Sequence, residues 1–457
     1  VNRREFLSLA ALGLAPRLAA AQAATTRLRL ASSSQRLAGA DYPPTAVWSY
    51  NGSVPGPALR FRQGDRLRIA VQNDLPVETT VHWHGIRVPN AMDGVPYLTQ
   101  PPIAADGGRF AYEFDLADAG TYWYHPHLGS PEQVGRGLYG ALIVEEREPP
   151  AVDRDLLWVL SDWRLDRSAR VVDDFGNFMD ASHAGRIGNT VTVNGAARES
   201  FGVRAGERIR LRLVNASSAR IYALSFEGHE PWLVARDAQP LEPRRLARER
   251  LVLGPSQRAD LILDCVGAPG SRHRVVDDFY PRSTYRLLDL EYSADRPARA
   301  RRDAPSPLPA NPLPQPDLAR AQRHRIVFEG GMMGNMPGGM GGMMGRNGGL
   351  AWTVNGVAMP ETDHKSDPIL ALSRGGSYVL DLVNDTAWHH PIHLHGHVFR
   401  VLSKNGRPAA EWGDTVLIDP RSRAEIAFVA DNPGDWMLHC HVLEHQASGM
   451  MAVVRVA

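Results

Sequence analysis

Short runs of alternating apolar and polar residues dominate this chain, separated by Gly, Pro, Asn or Asp. Leu67 to Val71, Ile209 to Val214 and Tyr378 to Val383 are examples. A period of two puts every second side chain on one face, which is the signature of a half-buried strand. Stretches with the 3.6-residue period of a helix are scarce. The pattern predicts an all-β protein of the sandwich or barrel type.

The alternation comes in three related copies. Each copy has an Asn-Gly pair, then a Gly followed by an alternating apolar run that ends in Asn. The pairs are Asn51-Gly52, Asn194-Gly195 and Asn355-Gly356, and the closing residues are Asn73, Asn215 and Asn384. His82 and His84 follow Asn73 at the same offsets at which His393 and His395 follow Asn384. The second copy has Leu224 and Phe226 there. Gly120 likewise precedes His125 and His127 as Gly434 precedes His439 and His441. Three related sandwich domains follow from this, with metal held between the first and the third and the second acting as a spacer or cap.

Length agrees, because 457 residues exceed one ordinary core. The expected division is residues 24–148, 149–296 and 321–457. A Pro-rich linker at 297–320 joins the last two, and the third domain carries a Met-rich loop at 330–349. A formal net charge of +1 suggests no nucleic-acid or membrane-surface partner.

The first 23 residues read as a targeting segment. Asn2-Arg3-Arg4-Glu5-Phe6-Leu7 resembles a twin-arginine export signal, and an Ala-rich apolar stretch and the small-x-small pattern Ala21-Gln22-Ala23 follow. No later stretch approaches the roughly 20 apolar residues of a membrane span. A soluble, exported or periplasmic, monomeric product is therefore expected.

The chemistry concentrates in the segment His439 to Met450, HCHVLEHQASGM. A Cys thiolate, two imidazoles and a distant thioether are the donor set of a blue electron-transfer copper. Neighbours on a strand point to opposite faces. Cys440 can therefore serve one metal while His439 and His441 serve others on the reverse side, joined by a few backbone bonds. The other cysteine, Cys265, lies in an apolar run and reads as a core residue, so no disulfide is expected.

Four His-x-His pairs stand in two repeat copies: His82/His84, His125/His127, His393/His395 and His439/His441. With His390 and His445 they make ten of the 17 histidines. These motifs resemble the four copper-binding motifs of multicopper oxidases, over nearly the whole chain. The resemblance implies three cupredoxin-like Greek-key β-sandwich domains and an enzyme that couples one-electron oxidations to reduction of O2 to water. It implies four copper ions. His390, Cys440, His445 and Met450 would hold type 1 copper, and His82 and His393 type 2. His84, His125, His127, His395, His439 and His441 would hold the type 3 pair. The reducing substrate would be a phenol, an aromatic amine or Cu(I), with a role in copper tolerance. A reading from another class is a non-enzymatic copper-binding or scaffold protein with the same fold.

Making water consumes protons. Asp93, in a Met-Asp-Gly turn after the first motif, resembles the family's acid near type 2 copper; the plain alternative is a turn-forming Asp-Gly. Many bacterial relatives place Glu directly after the last motif His, where this chain has Gln446, and an amide cannot shuttle a proton. The role of Glu444 is open.

Met332, Met333, Met336, Met340, Met343 and Met344 are six of the 12 methionines, in a Gly-rich stretch expected to be a flexible loop. Soft thioethers suit Cu(I) capture; the alternative is a low-complexity loop. Cuprous oxidases of the family typically have Met and Asp just before the His390 motif. Here Trp388 stands near the place of the Met and Asp385 is offset by one, so Cu(I) and organic substrates both stay open. His389 and His397 adjoin ligands and are expected to tune them. His183, His229, His273, His324 and His364 read as plain surface or core residues.

Overall fold

The computed structural model describes residues 25–247, 249–295, 303–332, 350–362 and 367–457. The export segment, His364 and five of the six clustered methionines (Met333, Met336, Met340, Met343 and Met344) lie outside the described residues.

Six sheets fall into three pairs along the chain. In the first sandwich one sheet runs Thr45–Tyr50, Thr26–Gln35, Arg66–Asn73, Gly108–Asp115. Its partner runs Gly56–Arg62, Gly140–Glu145, Gly120–His125, His82–His84. The middle sandwich is built from strands between Arg154 and Tyr292, and the third from strands between Gln322 and Val456. Two layers let each sheet bury its apolar face against the other. Leu67, Ile69 and Val71 are buried while Arg68, Ala70 and Gln72 are only partly covered, as the alternation requires.

The threefold repeat has a physical basis in its asparagines. Asn51-Gly52, Asn194-Gly195 and Asn355-Gly356 all have positive φ at both residues, the tight hairpin geometry that Asn-Gly favours. Each of these Asn residues also accepts from a strand N–H, of Arg29, Val159 and Val327, at 2.7–2.8 Å. The closing Asn73, Asn215 and Asn384 each donate to carbonyls in the connection that follows and accept the N–H two residues on. They tie down the loops that lead into His82 and His390.

The middle sandwich is more than a spacer. Its strands Arg208–Asn215 and Arg258–Asp264 carry Arg210, Arg212 and Arg258, all fully buried. Arg210 forks onto Glu146 of the first sandwich at 2.6 and 2.8 Å, and Arg212 reaches Thr121 at 3.0 Å. A short helix, Phe178–Ser182, is capped by the Asn177 side chain and packs against the helix Leu443–Ala447 of the third sandwich. Residues 303–316 of the Pro-rich stretch lack regular structure but are docked: Leu308 is buried, and Asn311 bonds Ala119 and Gln239. Among the described residues no helix is long and apolar enough to cross a membrane.

Candidate metal centres

The strand Gly434–Cys440 is the spine of the site, lying between Met451–Val456 and His390–Leu394. Antiparallel pairing sets Cys440 opposite Ile392 and His439 opposite His393. Alternation then separates two faces. Cys440 and His390 share one; His439, His393 and His395 share the other.

On the first face His390 Nδ1 lies 3.4 Å and His445 Nδ1 3.6 Å from Cys440 Sγ, and the two nitrogens are 3.1 Å apart. The far nitrogens are occupied: His390 Nε2 meets the Thr386 hydroxyl at 2.8 Å, and His445 Nε2 donates to the His183 carbonyl at 2.6 Å. Those bonds set which nitrogen each ring turns to the sulfur. Met450 is buried, and its carbonyl accepts the Cys440 N–H at 3.1 Å. The Trp352 ring lies 4.3 Å from that of His445, and its indole N–H donates to the Ala181 carbonyl. Burial pushes the Cys440 thiol up, and pulls the His390 imidazole well below its usual range and that of His445 down to about 3. The rings are therefore neutral, as ligands must be, while the thiol keeps its proton until a cation displaces it.

On the other face eight imidazoles from the first and third sandwiches converge. His82, His84, His125, His127, His393, His395, His439 and His441 are each at most 2% exposed. His82 pairs with His125 across the strands His82–His84 and Gly120–His125. The Nε2 atoms of His395 and His439 are 3.0 Å apart, those of His125 and His441 3.3 Å, and those of His127 and His439 3.4 Å. Donor atoms of His82/His393/His395, of His127/His395/His439 and of His82/His84/His125 lie within 4.8 Å of one another. On the opposite face the same holds for His390/Cys440/His445.

The outer nitrogens of these rings are anchored. His82 Nδ1 donates to the Asp93 carbonyl at 2.7 Å, His393 Nδ1 to the Asp414 carbonyl at 2.7 Å, and His395 Nδ1 to the Asp93 carboxylate at 2.8 Å. His125 Nδ1 and His439 Nδ1 meet the Pro126 and Cys440 carbonyls at 2.9 Å. His84 is held by Nε2, 3.1 Å from Asp414 Oδ1. Among the described residues the inner atoms His82 Nε2, His84 Nδ1 and His393 Nε2 have no hydrogen-bond partner. Burial pulls His84, His125, His395 and His441 well below the ordinary imidazole range. Neutral rings with anchored backs turn lone pairs toward a common space, an arrangement that repels unless cations fill it.

Comparison with known proteins agrees with this geometry. Three multicopper oxidase family models match residues 33–149, 154–273 and 343–457. A multicopper oxidase structure from Pseudomonas thermotolerans superposes with a TM-score of 0.84 at 37% identity, covering 95% of this chain and 100% of that one. The chain belongs to the multicopper oxidase family. Multicopper oxidase MmcO of Mycobacterium tuberculosis is 29% identical over 445 residues, 89% of this chain and 82% of the relative. Copper resistance protein A of Escherichia coli is 26% identical over 594 residues, 100% of this chain and 95% of the relative.

This oxidase is thus a copper-dependent oxidoreductase of three cupredoxin-like sandwiches, using O2 and a reducing substrate. Imidazole and thiolate are copper donors, and the unpartnered inner nitrogens fit that metal. Asp93 is fully buried and bridges His82 and His395, ligand candidates from two sandwiches. Gln446 is buried, and among the described residues neither its Oε1 nor its Nε2 has a partner. Glu444 lies in the helix Leu443–Ala447 with its carboxyl buried, and burial pushes it up to about 7. Met332 lies near the Cys440 side: its carbonyl accepts the Trp388 indole N–H at 2.9 Å, and its N–H donates to the Ser182 carbonyl.

The remaining histidines divide. His397 Nδ1 meets the His395 carbonyl at 3.2 Å, whereas His389 turns toward Asp419, 3.7 Å away. His229 bonds Tyr292, His273 meets His229 edge to face, and His324 lies beside Tyr378. Cys265 is free and buried. His183, read as a plain residue, packs on Trp388 and lends its carbonyl to His445. Sequence reasoning also missed Thr386, Trp352 and Asp414, none of which carries a local signal.

Proposed function

We propose that His390, Cys440, His445 and Met450 hold a type 1 copper, and that His82 and His393 hold a type 2 copper. His84, His125, His127, His395, His439 and His441 hold a type 3 pair, giving four ions in all. The observation that carries this reading is the strand triplet His439-Cys440-His441, whose sulfur meets two imidazoles on one face and whose flanking rings join six others on the reverse. Bound there, copper supplies one-electron uptake from the substrate at the Cys440 side and four-electron reduction of O2 to water at the histidine cluster.

The chain's own residues do the rest. His445 and His390 present the edges at which electrons enter, and the Cys440 side chain with its two peptides is the covalent path to His439 and His441. Asp93 holds His82 and His395 in register and relays protons to the O2-reducing side. Gln446 leaves that side without the acid many relatives carry, which makes Asp93 the more decisive group.

The substrate is Cu(I), a phenol or an aromatic amine. Methionine thioethers in the 332–344 run favour Cu(I), as does the similarity to a copper resistance protein. The half-buried Trp388 and the exposed Phe178 and Met179, close in the chain to His183, whose carbonyl accepts a hydrogen bond from His445 Nε2–H, favour an aromatic donor. We take the protein to be exported through the twin-arginine route, to act in copper tolerance and to be monomeric.

The test is direct. Copper-loaded protein is blue, binds four coppers per chain and consumes O2 with Cu(I) or a phenol. A fully loaded but colourless protein refutes the type 1 assignment. Deleting Met333 to Met344 lowers Cu(I) oxidation and spares phenol oxidation; unchanged Cu(I) kinetics would count against capture by the methionines.

A further inference from the structure

The middle sandwich supplies none of the copper-ligand candidates, yet one of its side chains reaches the histidine cluster. We propose that Arg258 is a positioning residue for the histidine-only copper centre, acting through Asp414 on His84 and His393 together. The inference rests on the proposed copper assignment.

Arg258 opens the strand Arg258–Asp264 and is fully buried. Its Nη1 and Nη2 fork onto the Asp414 carboxylate at 2.9 and 2.5 Å. Its Nε donates to the Thr121 carbonyl at 3.2 Å, and Nη1 also lies 3.3 Å from Asp237. A fork on both oxygens fixes the plane of the Asp414 carboxylate, which a point charge does not do. One of those oxygens, Oδ1, receives His84 Nε2 at 3.1 Å. The backbone carbonyl of the same residue receives His393 Nδ1 at 2.7 Å. One residue thus sets the ring orientation of two ligand candidates, and Arg258 holds that residue still.

Two further observations support a built device. The residues before Arg258 grip the same place: Gln257 Nε2 donates to the Thr415 carbonyl at 3.1 Å, and the Ser256 hydroxyl meets the Thr415 hydroxyl at 3.2 Å. Thr415 Oγ1 lies 3.4 Å from His84 Nε2 and 3.3 Å from His393 Nδ1. On the other side Gly85 follows His84 with φ +86°, and a Cβ there would sit 2.5 Å from Arg258 Nη2 and 2.6 Å from Asp414 Oδ2. The backbone beside His84 is shaped around the ion pair. Among the described residues the side chains of His390, Cys440 and His445 make no hydrogen bond to Arg258, Asp414 or Thr415, so the two kinds of centre should respond separately.

The experiment compares Arg258→Met, Arg258→Lys and Arg258→Met/Asp414→Asn with the parent, each loaded with copper. The readouts are copper per chain under chelator competition, blue absorbance, the type 2 electron-spin signal and thermal unfolding. Arg258→Met should stay blue and lose affinity at the histidine-only centre by roughly 10–100-fold, the usual effect of removing a residue that orients a metal ligand. Its type 2 signal should change shape. Arg258→Lys should restore part of both. The double variant removes the stranded buried carboxylate, so unfolding should return toward the parent while copper affinity does not. Parent-like copper retention and type 2 signal in Arg258→Met overturn the proposal. Recovery of copper affinity along with stability in the double variant also overturns it, because Arg258 would then be merely structural. A parent protein that is not blue when loaded refutes the copper assignment itself, a different failure.

Discussion

Replacing Asp93 by Asn separates two jobs that its carboxylate is proposed to do. The Oδ2 atom receives His395 Nδ1 at 2.8 Å, and Oδ1 lies 3.3 Å from His82 Nδ1, which already donates to the Asp93 carbonyl at 2.7 Å. The amide is isosteric, and the backbone bond to His82 survives. Turning a charge-assisted bond into a neutral one costs about 1–1.5 kcal/mol, or roughly 5–15-fold in copper affinity. That loss is invisible at saturating copper. The amide can neither give nor take a proton, so turnover should fall by roughly 100-fold or more, the usual worth of a positioned acid. Asp93→Ala removes the support of His395 as well and should lose copper by roughly 10–100-fold in affinity. The assay is O2 uptake across pH at matched copper content, with blue absorbance as the control for the Cys440 side. Parent-like turnover of Asp93→Asn at equal copper refutes the proton role. Copper loss equal to that of Asp93→Ala would reduce Asp93 to a ligand support.

Other perturbations follow from burial and backbone geometry. Cys440→Ser should abolish the blue colour and oxidase activity, and the native copper-free parent should resist iodoacetamide until denatured, because the thiol is buried and its pKa raised; labelling of the native protein would contradict this. Burial raises Glu361 to about 7, although Gly129 N–H donates to its Oε2 at 3.2 Å. Its stabilising protonated form is fully present below the unfolded pKa and is lost as pH rises through about 7. Glu361→Gln should therefore leave stability unchanged near pH 4 and raise it by at most about 3 kcal/mol at pH 8, read from denaturant melts at both pH values; equal stability at pH 8 would refute the burial argument. Gly94 has φ +82°, and a Cβ there would fall 2.0 Å from the Val81 carbonyl. Gly94→Ala should cost about 3 kcal/mol from left-handed strain plus collision and should weaken copper binding through His82; a melt within about 0.5 kcal/mol of the parent would show that the turn relaxes freely.

What could be read from the chain was whatever recurs or clusters in it. Asn51, Asn194 and Asn355 announce their turns because Asn and Gly tolerate positive φ, and the strand runs announce themselves by alternation. The histidines were legible because four pairs share one spacing. Asp414 and Arg258 were not, since each is a lone polar residue whose partners lie far away in sequence, and nothing local distinguishes a buried ion pair from a surface one. The His183 carbonyl is a backbone atom, invisible to any reading of side chains. Trp388 was noticed as a departure, but its contact with His183 depends on how the second and third sandwiches meet.

The pairing of His390–Leu394 with Gly434–Cys440 has a consequence for how the enzyme matures. His393 faces His439 and Ile392 faces Cys440 across one ladder. Slipping either strand by a single residue would turn Cys440 toward the histidine cluster and His439 toward His390, spoiling both centres at once. A misaligned chain could not fill one kind of site and leave the other empty. Metal uptake therefore acts as quality control on folding: a chain that holds its full complement has, by that fact, aligned these two strands correctly, and bound copper then stabilises that alignment over its competitors.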